Sequence, residues 1–305
     1  MVSTIKKTSN GGGELPMAIE TPTMPAEESV TTSSGIIPNG VVYGEAHMDG
    51  TSKPYPSHVN GTAGEIVNGV AAPELAFDSI ESTISSFKTG SFIIVLDAPT
   101  RENEGDLICA AQDFTPEKAA FMIRHTSGLI CSPLSPAFTH SLNLPQMVPS
   151  GKNSEVDGTA YTVSVDAVAD GMTTGISACD RAMTCRKLSE PGAQPEDFRR
   201  PGHVFPLRAK EGGVRQRRGH TEATVEFCRL AGKREVGAIC ELVEEGEELG
   251  KGTGCIARAE RTFPGGGMMR GEACLAFGRR WGIKVCTIEA LVEYLEKSER
   301  SVVDR

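Results

Sequence analysis

Residues 91–111 read SFIIVLDAPTRENEGDLICAA, two apolar runs separated by a charged turn. The first run, SFIIVLD, is short, continuous and rich in branched side chains, which predicts a strand buried on both faces. The second run, LICAA at residues 107–111, predicts another short strand. The stretch therefore predicts two strands of a central sheet with a polar turn between them.

The turn between the two runs is dense in polar groups. Its charged members are Arg101, Glu102, Glu104 and Asp106. They place one guanidinium and three carboxylates at a strand end, which is where α/β sheets form ligand sites. Carboxylate oxygens suit Mg²⁺, a hard cation that retains several waters in proteins. The alternative is a solvated charged turn, and this cluster alone leaves both interpretations open.

Strand and helix signals alternate on both sides of this stretch. On the N-terminal side, Pro73 predicts the start of a helix and Gly90 predicts its end. On the C-terminal side we predict, in chain order, a helix from Thr115 to Gly128, the strand LICSPL, a short helix ending near Leu142, a loop at 150–162, the strand YTVSVDA, a helix after Gly175, the strand HVFPLRA, a helix from Gly219 to Leu230, the strand VGAICELV, and a last helix, the strand IKVCTI and a helix at 287–299. This alternation, without internal repeats, predicts one layered α/β domain of α+β type over residues 73–305.

Two segments depart from this alternation. Residues 1–72 are rich in Gly, Ser, Thr, Pro and Asn and show no sustained periodicity. Such a segment cannot bury enough apolar surface to offset the entropy lost on ordering, so we expect a disordered N-terminal extension. Residues 244–267 form a Glu- and Gly-rich insertion within the domain.

Composition limits the function classes that are open to this chain. Its 305 residues carry a formal net charge of −9, with a pI near 5.3. This balance argues against general nucleic-acid binding, which needs a basic face, although a small basic pocket can still hold one phosphate. No apolar stretch approaches the roughly 20 residues of a membrane span. Nine scattered Cys without a C-x-x-C pair, and no apolar leader, predict reduced thiols in a cytoplasmic protein.

A second polar cluster, RQRRGHTE at residues 215–222, comes just before a predicted helix. Free amides at a helix N-terminus, the Thr221 hydroxyl and the guanidinium groups of Arg217 and Arg218 suit a phosphate group. His220 can ligate a metal or transfer protons. The alternative for His220 is a capping or surface histidine.

Two isolated polar residues lie in strongly apolar strands. His203 begins the run HVFPLRA, and Glu241 follows VGAIC. A buried carboxylate is costly without a partner, so one in this position is a candidate general acid or base with a shifted pKa. A structural hydrogen bond is the alternative for each residue.

Seven segments together resemble the 3,4-dihydroxy-2-butanone 4-phosphate synthase family. They are TRENEGDLICAA, RHTSGLIC, GTAYTVSVDA, TTGISACDRAMT, RRPGHVFPLRAKEGGV, RRGHTEAT and GAICELV. They occur in the family's order over nearly all of residues 75–300, and the acidic turn and RPGHVFPLRA are highly specific. The resemblance implies a mixed central sheet flanked by helices. It also implies conversion of D-ribulose 5-phosphate to L-3,4-dihydroxy-2-butanone 4-phosphate and formate in riboflavin biosynthesis, by a homodimer with sites built from both subunits.

The resemblance also assigns roles to individual residues. Glu102 and His220 resemble ligands of a Mg²⁺ pair, for which Mn²⁺ can substitute. His203 and Glu241 resemble the two residues essential for catalysis, and Glu104 and Cys131 match further active-site positions. The substrate-binding residues that it implies are Arg101, Glu102, Asp106, Arg217, Arg218, Gly219, His220, Thr221 and Glu241, with Arg217 and Thr221 on the phosphate.

This chain departs from the family pattern in one short stretch. Ala98, Pro99 and Thr100 stand where the family usually has acidic residues, which affects loop closure or metal affinity but not the ligand set. The chain has no room for the GTP cyclohydrolase II domain often fused to this family, so we expect a monofunctional enzyme. Two rival interpretations are another metal-dependent sugar-phosphate isomerase or aldolase, and a nucleotide- and RNA-handling module related to threonylcarbamoyl-adenylate synthases.

Overall fold

A computed structural model describes residues 76–149, 151–244 and 266–303, together with two short strands, Ile66–Val67 (β1) and Val70–Ala71 (β2). The two strands pair with each other in antiparallel orientation. They fall inside the segment 1–72, for which we expect disorder. The remainder of that segment lies outside the described residues.

Seven strands of the described chain form one mixed sheet. They are Ile93–Leu96 (β3), Gly105–Ala110 (β4), Cys131–Leu134 (β5), Val165–Ala167 (β6), Phe198–Arg208 (β7), Gly237–Glu241 (β8) and Lys284–Thr287 (β9). Their order across the sheet is β6-β7-β5-β8-β4-β3-β9. The β3/β9 and β5/β7 pairs are parallel and the other pairs are antiparallel. This confirms the predicted mixed sheet.

Seven α-helices of the described chain accompany the sheet. They are Ile80–Lys88 (α1), Pro116–His125 (α2), Pro136–Ser141 (α3), Ala178–Leu188 (α4), His220–Leu230 (α5), Gly271–Trp281 (α6) and Ile288–Val303 (α7). Short 3-10 turns lie at Ala111–Asp113, Pro195–Asp197 and Gly213–Arg215.

The sheet is covered on both faces because alternate residues of its central strands face opposite sides. In β3, Ile94 packs in an apolar cluster with residues of α2, α4 and α6, whereas Ile93 packs in a second cluster with residues of α1, α5 and α7. Every residue of β3 and β4 is buried. The prediction from SFIIVLD, a strand buried on both faces, is therefore confirmed.

Two predicted elements differ from the structure. The first helix begins at Ile80 rather than near Pro73, because Ser79 caps it by accepting a hydrogen bond from the amide of Ser82. Residues 76–79 precede the helix, and Pro73 itself lies outside the described residues. Of the predicted strand YTVSVDA, only Val165–Ala167 is a regular strand, while Tyr161 makes an isolated bridge to Leu207.

The two ends of the insertion at 244–267 lie side by side. Val243 bridges Met268, and the amide of Glu244 donates to the carbonyl of Gly267 at 2.8 Å. Residues 245–265 lie outside the described residues.

The eight described cysteines are all free thiols. Among the described helices, none is long and apolar enough to cross a bilayer.

Candidate active site

A cavity of about 120 Å³ opens where β3 ends, β4 begins and β8 ends. Antiparallel pairing brings these points together, because the register sets Asp106 of β4 opposite Glu241 of β8. The first turn of α5 forms another side of the cavity. Its lining residues are Arg101, Glu102, Glu104, Asp106, Cys131, Glu155, Thr159, Tyr161, Leu207, Arg217, His220, Thr221, Ile239 and Glu241.

Asp97, at the end of β3, holds the acidic turn in shape. Its side chain is fully buried. One carboxylate oxygen accepts the amide of Glu104 at 2.9 Å, and the other accepts the amide of Glu102 at 2.9 Å. The second oxygen also accepts Nη1 of Arg101 at 2.9 Å. Three donors from the turn thus converge on one carboxylate, which fixes the directions of the two glutamates.

Glu102, Asp106 and His220 form the most strongly polar part of the cavity. His220 Nδ1 lies 3.5 Å from Glu102 Oε2 and 3.7 Å from Asp106 Oδ1. The interactions with His220 and then with Arg101 lower the pKa of Glu102 to about 2. Burial raises the pKa of Asp106. For His220, burial acts to lower the pKa, but the surrounding carboxylates outweigh it and the pKa is raised.

Two atoms of this group lack the hydrogen bonds that buried polar atoms normally make. They are Asp106 Oδ1 and His220 Nε2, both buried and without a hydrogen-bond partner among the described residues. Carboxylate oxygens and an imidazole nitrogen around a small cavity fit a divalent cation. No three carboxylate, imidazole or thiol groups of the described chain are arranged to hold an ion by themselves.

The cationic side of the cavity is built by Arg217 and the start of α5. Arg217 donates Nη1 to Glu222 Oε2 at 2.7 Å, Nη2 to Thr159 Oγ1 at 2.8 Å and Nε to the carbonyl of Asp157 at 3.0 Å. A Cβ at Gly219 would lie 2.2 Å from Arg217 Nη1, so a glycine is needed for this approach. Because Gly219 offers no side-chain cap, the first amides of α5 are not satisfied by one.

The neighbouring Arg218 does not reach the cavity. Its side chain is 52% exposed and pairs with Glu289 on α7. Gly219 is the N-cap of α5 and also does not line the cavity. Of the predicted sequence Arg217 to Thr221, the structure therefore places Arg217, His220 and Thr221 in the cavity wall.

Glu241 ends β8 and is held from the side by Ser127. The Ser127 hydroxyl donates to Glu241 Oε2 at 2.8 Å, and the Ser127 amide donates to the Glu241 carbonyl at 2.9 Å. Cys131 lies in the same wall of the cavity, in β5. Burial raises the pKa of the Cys131 thiol, so the thiol stays protonated at neutral pH. Burial also raises the pKa of Glu104, and the neighbouring carboxylates of Glu102 and Glu241 add to this.

His203 is the one predicted catalytic residue that does not line the cavity. It lies in β7, and its side chain is 40% exposed. Its amide donates to Asp166 Oδ1 at 2.8 Å, and its Nδ1 lies 2.8 Å from Asp166 Oδ2. Asp166 is buried in β6, the neighbouring strand.

The sequence patterns did not predict six residues that line the cavity or hold its side chains in place. They are Asp97, Ser127, Glu155, Thr159, Tyr161 and Asp166. Asp97 directly precedes residues that we singled out, and Asp166 is a carboxylate within a quoted motif segment, so both offered a usable signal. Ser127, Thr159 and Tyr161 lie within quoted motif segments but carry no strong chemistry by type. Glu155 lies in the segment 150–162, which we predicted only as a loop.

An α/β fold whose strand ends enclose carboxylates, an imidazole and guanidinium groups defines the chain as an enzyme with a small, highly charged active site. Residues 81–294 match the family model described as 3,4-dihydroxy-2-butanone 4-phosphate synthase. The chain belongs to this family, whose members are enzymes of riboflavin biosynthesis.

Relatives with the family's name are similar over most of their length. The 3,4-dihydroxy-2-butanone 4-phosphate synthase of Pyricularia oryzae is 59% identical over 227 residues, covering 74% of this chain and 93% of that protein. The protein of the same name from Saccharomyces cerevisiae is 46% identical over 225 residues, covering 72% of this chain and 100% of that protein. A crystal structure of 3,4-dihydroxy-2-butanone 4-phosphate synthase in complex with two magnesium ions matches with a TM-score of 0.67 and 59% identity, covering 73% of this chain and 99% of that chain.

Proposed function

We propose that the chain converts D-ribulose 5-phosphate to L-3,4-dihydroxy-2-butanone 4-phosphate and formate. The observation that carries this proposal is one cavity with a cationic side at Arg217 and a side where Asp106 Oδ1 and His220 Nε2 make no hydrogen bond to the described residues. A sugar phosphate has an anionic end for the first side. Its keto and hydroxyl oxygens can share a cation with the second side.

The phosphate end is assigned to Arg217, Thr221 and the N-terminus of α5. Arg217 uses three of its five N–H groups on protein partners, which leaves two for a ligand. Thr221 is buried in the first turn and lines the cavity. Helix N-terminal amides and the helix dipole favour an anion at this position.

Glu102 and His220 are assigned as the protein ligands of Mg²⁺, with Mn²⁺ as a substitute. Glu102 is ionised, and Mg²⁺ would take the place of the His220 proton that the surrounding carboxylates favour in its absence. Bound Mg²⁺ would supply Lewis-acid stabilisation of negative charge on substrate oxygens. Arg101 and Asp97 orient Glu102, and Asp106 adds a second carboxylate at the same place.

The reaction needs groups that accept and donate protons during enolisation, dehydration, skeletal rearrangement and loss of one carbon as formate. Glu241 is assigned to proton transfer inside the cavity, where Ser127 fixes its carboxylate. Glu104 and Cys131 line the same cavity and are assigned as further active-site groups. His203 is assigned as the second acid–base group.

The position of His203 supports a homodimer in which each site uses residues of both subunits. The His203 side chain is partly exposed, and it lies outside the cavity that contains Glu241. Exposed apolar side chains lie beside it. Ile176 follows Gly175, which packs on the His203 ring, and Leu129 lies two residues before the Cys131–Phe205 pair. An apolar rim around a polar residue suits an interface between identical subunits.

Formate release tests the proposal. The protein is incubated with ribulose 5-phosphate and Mg²⁺, formate is measured with a coupled dehydrogenase, and the four-carbon product is identified by NMR. Equal amounts of formate and product are expected, and EDTA should abolish both until Mg²⁺ is restored. Consumption of ribulose 5-phosphate without formate would indicate an isomerase or aldolase instead and overturn the proposal.

A further inference from the structure

We infer that Arg181 is a positioning residue for Glu241 and acts through the surface turn at residues 127–129. This inference rests on the proposed acid–base role of Glu241. Arg181 lies near the start of α4, and its Nη1 donates to the carbonyl of Gly128 at 2.6 Å. Ser127, the residue before Gly128, is the one whose hydroxyl holds the Glu241 carboxylate.

The guanidinium of Arg181 is buried without a counter-ion. Arg181 is 7% exposed, and it forms no ion pair with a carboxylate of the residues that the structure describes. Its Nε is also buried and has no hydrogen-bond partner among those residues. An arginine side chain stays charged in proteins, and a buried charge is costly unless it is paired. The hydrogen bond to Gly128 therefore has a reason other than the stability of the fold.

The turn that accepts this hydrogen bond has little to fix it locally. Ser127 is exposed, Leu129 is 42% exposed, and Gly128 has a φ of +77°, a conformation that glycine adopts at little cost. The side-chain hydrogen bonds inside the turn are long. They measure 3.3 Å from the Gly128 amide to Thr126 Oγ1 and 3.4 Å from the Leu129 amide to Ser127 Oγ. An exposed turn of this kind depends on contacts from neighbouring elements for a fixed position.

Two side chains other than Glu241 hold the turn from neighbouring elements. The Cys240 thiol donates to the Leu129 carbonyl at 3.3 Å and lies 3.1 Å from Ser127 Oγ. A thiol is a weak donor. The guanidinium of Arg181 is a charged donor, and charge-assisted hydrogen bonds are roughly twice as strong as neutral ones. Arg181 is therefore the stronger of the two contacts that hold the turn.

Ser127 transmits the position of the turn to Glu241 through two hydrogen bonds. Its hydroxyl donates to Glu241 Oε2 at 2.8 Å, and its amide donates to the Glu241 carbonyl at 2.9 Å. Because Ser127 and Gly128 are adjacent in the chain, a shift of the Gly128 carbonyl moves the Ser127 hydroxyl as well. A displacement of about 1 Å in a reacting geometry can cost about 10²-fold in rate. Loss of Arg181 should therefore slow the reaction.

The kinetic test compares two arginines of the same helix. Arg181→Met removes the donor and should lower kcat of formate release by about 10–100-fold. KM should change less than about threefold, because Arg181 does not line the cavity. The matched control is Arg186→Met. Arg186 lies on α4 and likewise donates Nη1 to one carbonyl, that of Phe114 at 2.8 Å, and neither residue lines the cavity. Its kcat should equal that of the wild-type protein.

A double-mutant cycle tests whether Arg181 acts through Ser127. Ser127→Ala removes the hydroxyl that holds the Glu241 carboxylate and should itself lower kcat. In that background Arg181→Met should cost less than about threefold more, because the link to the carboxylate is already lost. Losses that multiply would show another route and overturn the inference. A wild-type kcat in Arg181→Met, or an equal loss in Arg186→Met, would also overturn it.

Hydrogen–deuterium exchange of the full chain, followed by mass spectrometry, tests the contact without substrate. In Arg181→Met the Ser127 amide should exchange at least about tenfold faster than in the wild-type protein, and in Arg186→Met it should not change. Unchanged exchange at Ser127 in Arg181→Met overturns the inference. If the proposed function fails instead, the wild-type protein releases no formate, while the exchange rates still report whether Arg181 holds the turn.

A second variant covers the case in which Arg181→Met does not fold. Arg181→Gln keeps a polar group, but its side chain is too short to reach the Gly128 carbonyl, so it should show the same loss of kcat and the same faster exchange at Ser127. Failure of both variants to fold would make Arg181 a residue of general stability and overturn the inference.

Discussion

The chain has two histidines in prominent polar settings, and their surroundings are opposite. The His220 side chain is 6% exposed, lies among Glu102 and Asp106, and has a buried Nε2 without a protein partner. The His203 side chain is 40% exposed, pairs with Asp166 through Nδ1, and does not line the Glu241 cavity. One imidazole is arranged for a cation inside the cavity. In the proposed function, the other serves the cavity of a second subunit.

Under the proposed function, a single copy of the chain brings the binding groups together in one cavity but leaves one of the two proposed acid–base groups outside it. Anion donors and candidate metal ligands all line one cavity with Glu241. His203, the second proposed acid–base residue, is held by two hydrogen-bonding contacts with Asp166 but does not line that cavity. Four experiments test this difference.

The largest loss of activity is expected for a substitution of Glu102, which faces His220. Glu102→Gln is nearly isosteric but removes the charge that faces His220, so it should weaken Mg²⁺ binding and lower the rate of formate release by about 10³-fold. Calorimetric Mg²⁺ titration and the formate assay measure the two quantities. Glu293→Gln, an exposed helix glutamate, is the control and should leave both unchanged. Tight Mg²⁺ binding in Glu102→Gln would show that the ligands lie elsewhere.

A mixing experiment tests whether His203 serves the cavity of a second copy. Glu102→Gln and His203→Ala are co-expressed in equal amounts with different tags. If sites are shared, half of the dimers are mixed and each contains one intact site, so activity should recover to about a quarter of the wild-type value. If His203 served its own chain, every site would carry one defect. The mixture would then be no more active than its parents.

Adjacent arginines give a matched pair with a smaller expected effect. Arg217→Lys removes the planar fork that joins Glu222, Thr159 and the cavity, and should raise KM by about 10–100-fold, the equivalent of one or two charge-assisted hydrogen bonds. Arg218→Lys changes an exposed surface pair and should alter KM less than about twofold. Steady-state kinetics measure both. Similar KM values in the two variants would remove Arg217 from the phosphate site.

The smallest effect concerns stability around His203. Burial raises the pKa of Asp180, but hydrogen bonds from Thr173, Gly175 and Ser177 outweigh it and lower the pKa to about 2. A lowered pKa in the folded state means that the contribution to stability is full above the unfolded pKa and is lost as pH falls towards 2. Asp180→Asn should therefore lower Tm by roughly 2–6 °C at pH 7. Thermal melts at decreasing pH should show this gap closing below about pH 4, and a gap that is constant with pH would contradict the assignment.

Local patterns predicted most of the fold because they report burial directly. The continuous apolar run before Asp97 predicted a strand covered on both faces, and the structure buries it between two layers of helices. The boundary at Ile80 was missed because a single serine hydroxyl at Ser79 decides where the helix begins. The strand YTVSVDA was overpredicted, since alternation describes which face a residue occupies and not whether a partner strand is in register.

The sequence by itself determined the kinds of side chain available and which segments form strands and helices, because composition and periodicity act over a few residues. It also supplied the family motifs that drew attention to Glu102, His220, Glu241 and His203. Only the tertiary structure decided which of these groups meet. Sheet register sets Asp106 beside Glu241 and Asp166 beside His203, and it keeps His203 out of the Glu241 cavity. Register and strand order depend on contacts between residues far apart in the chain, which no local pattern records.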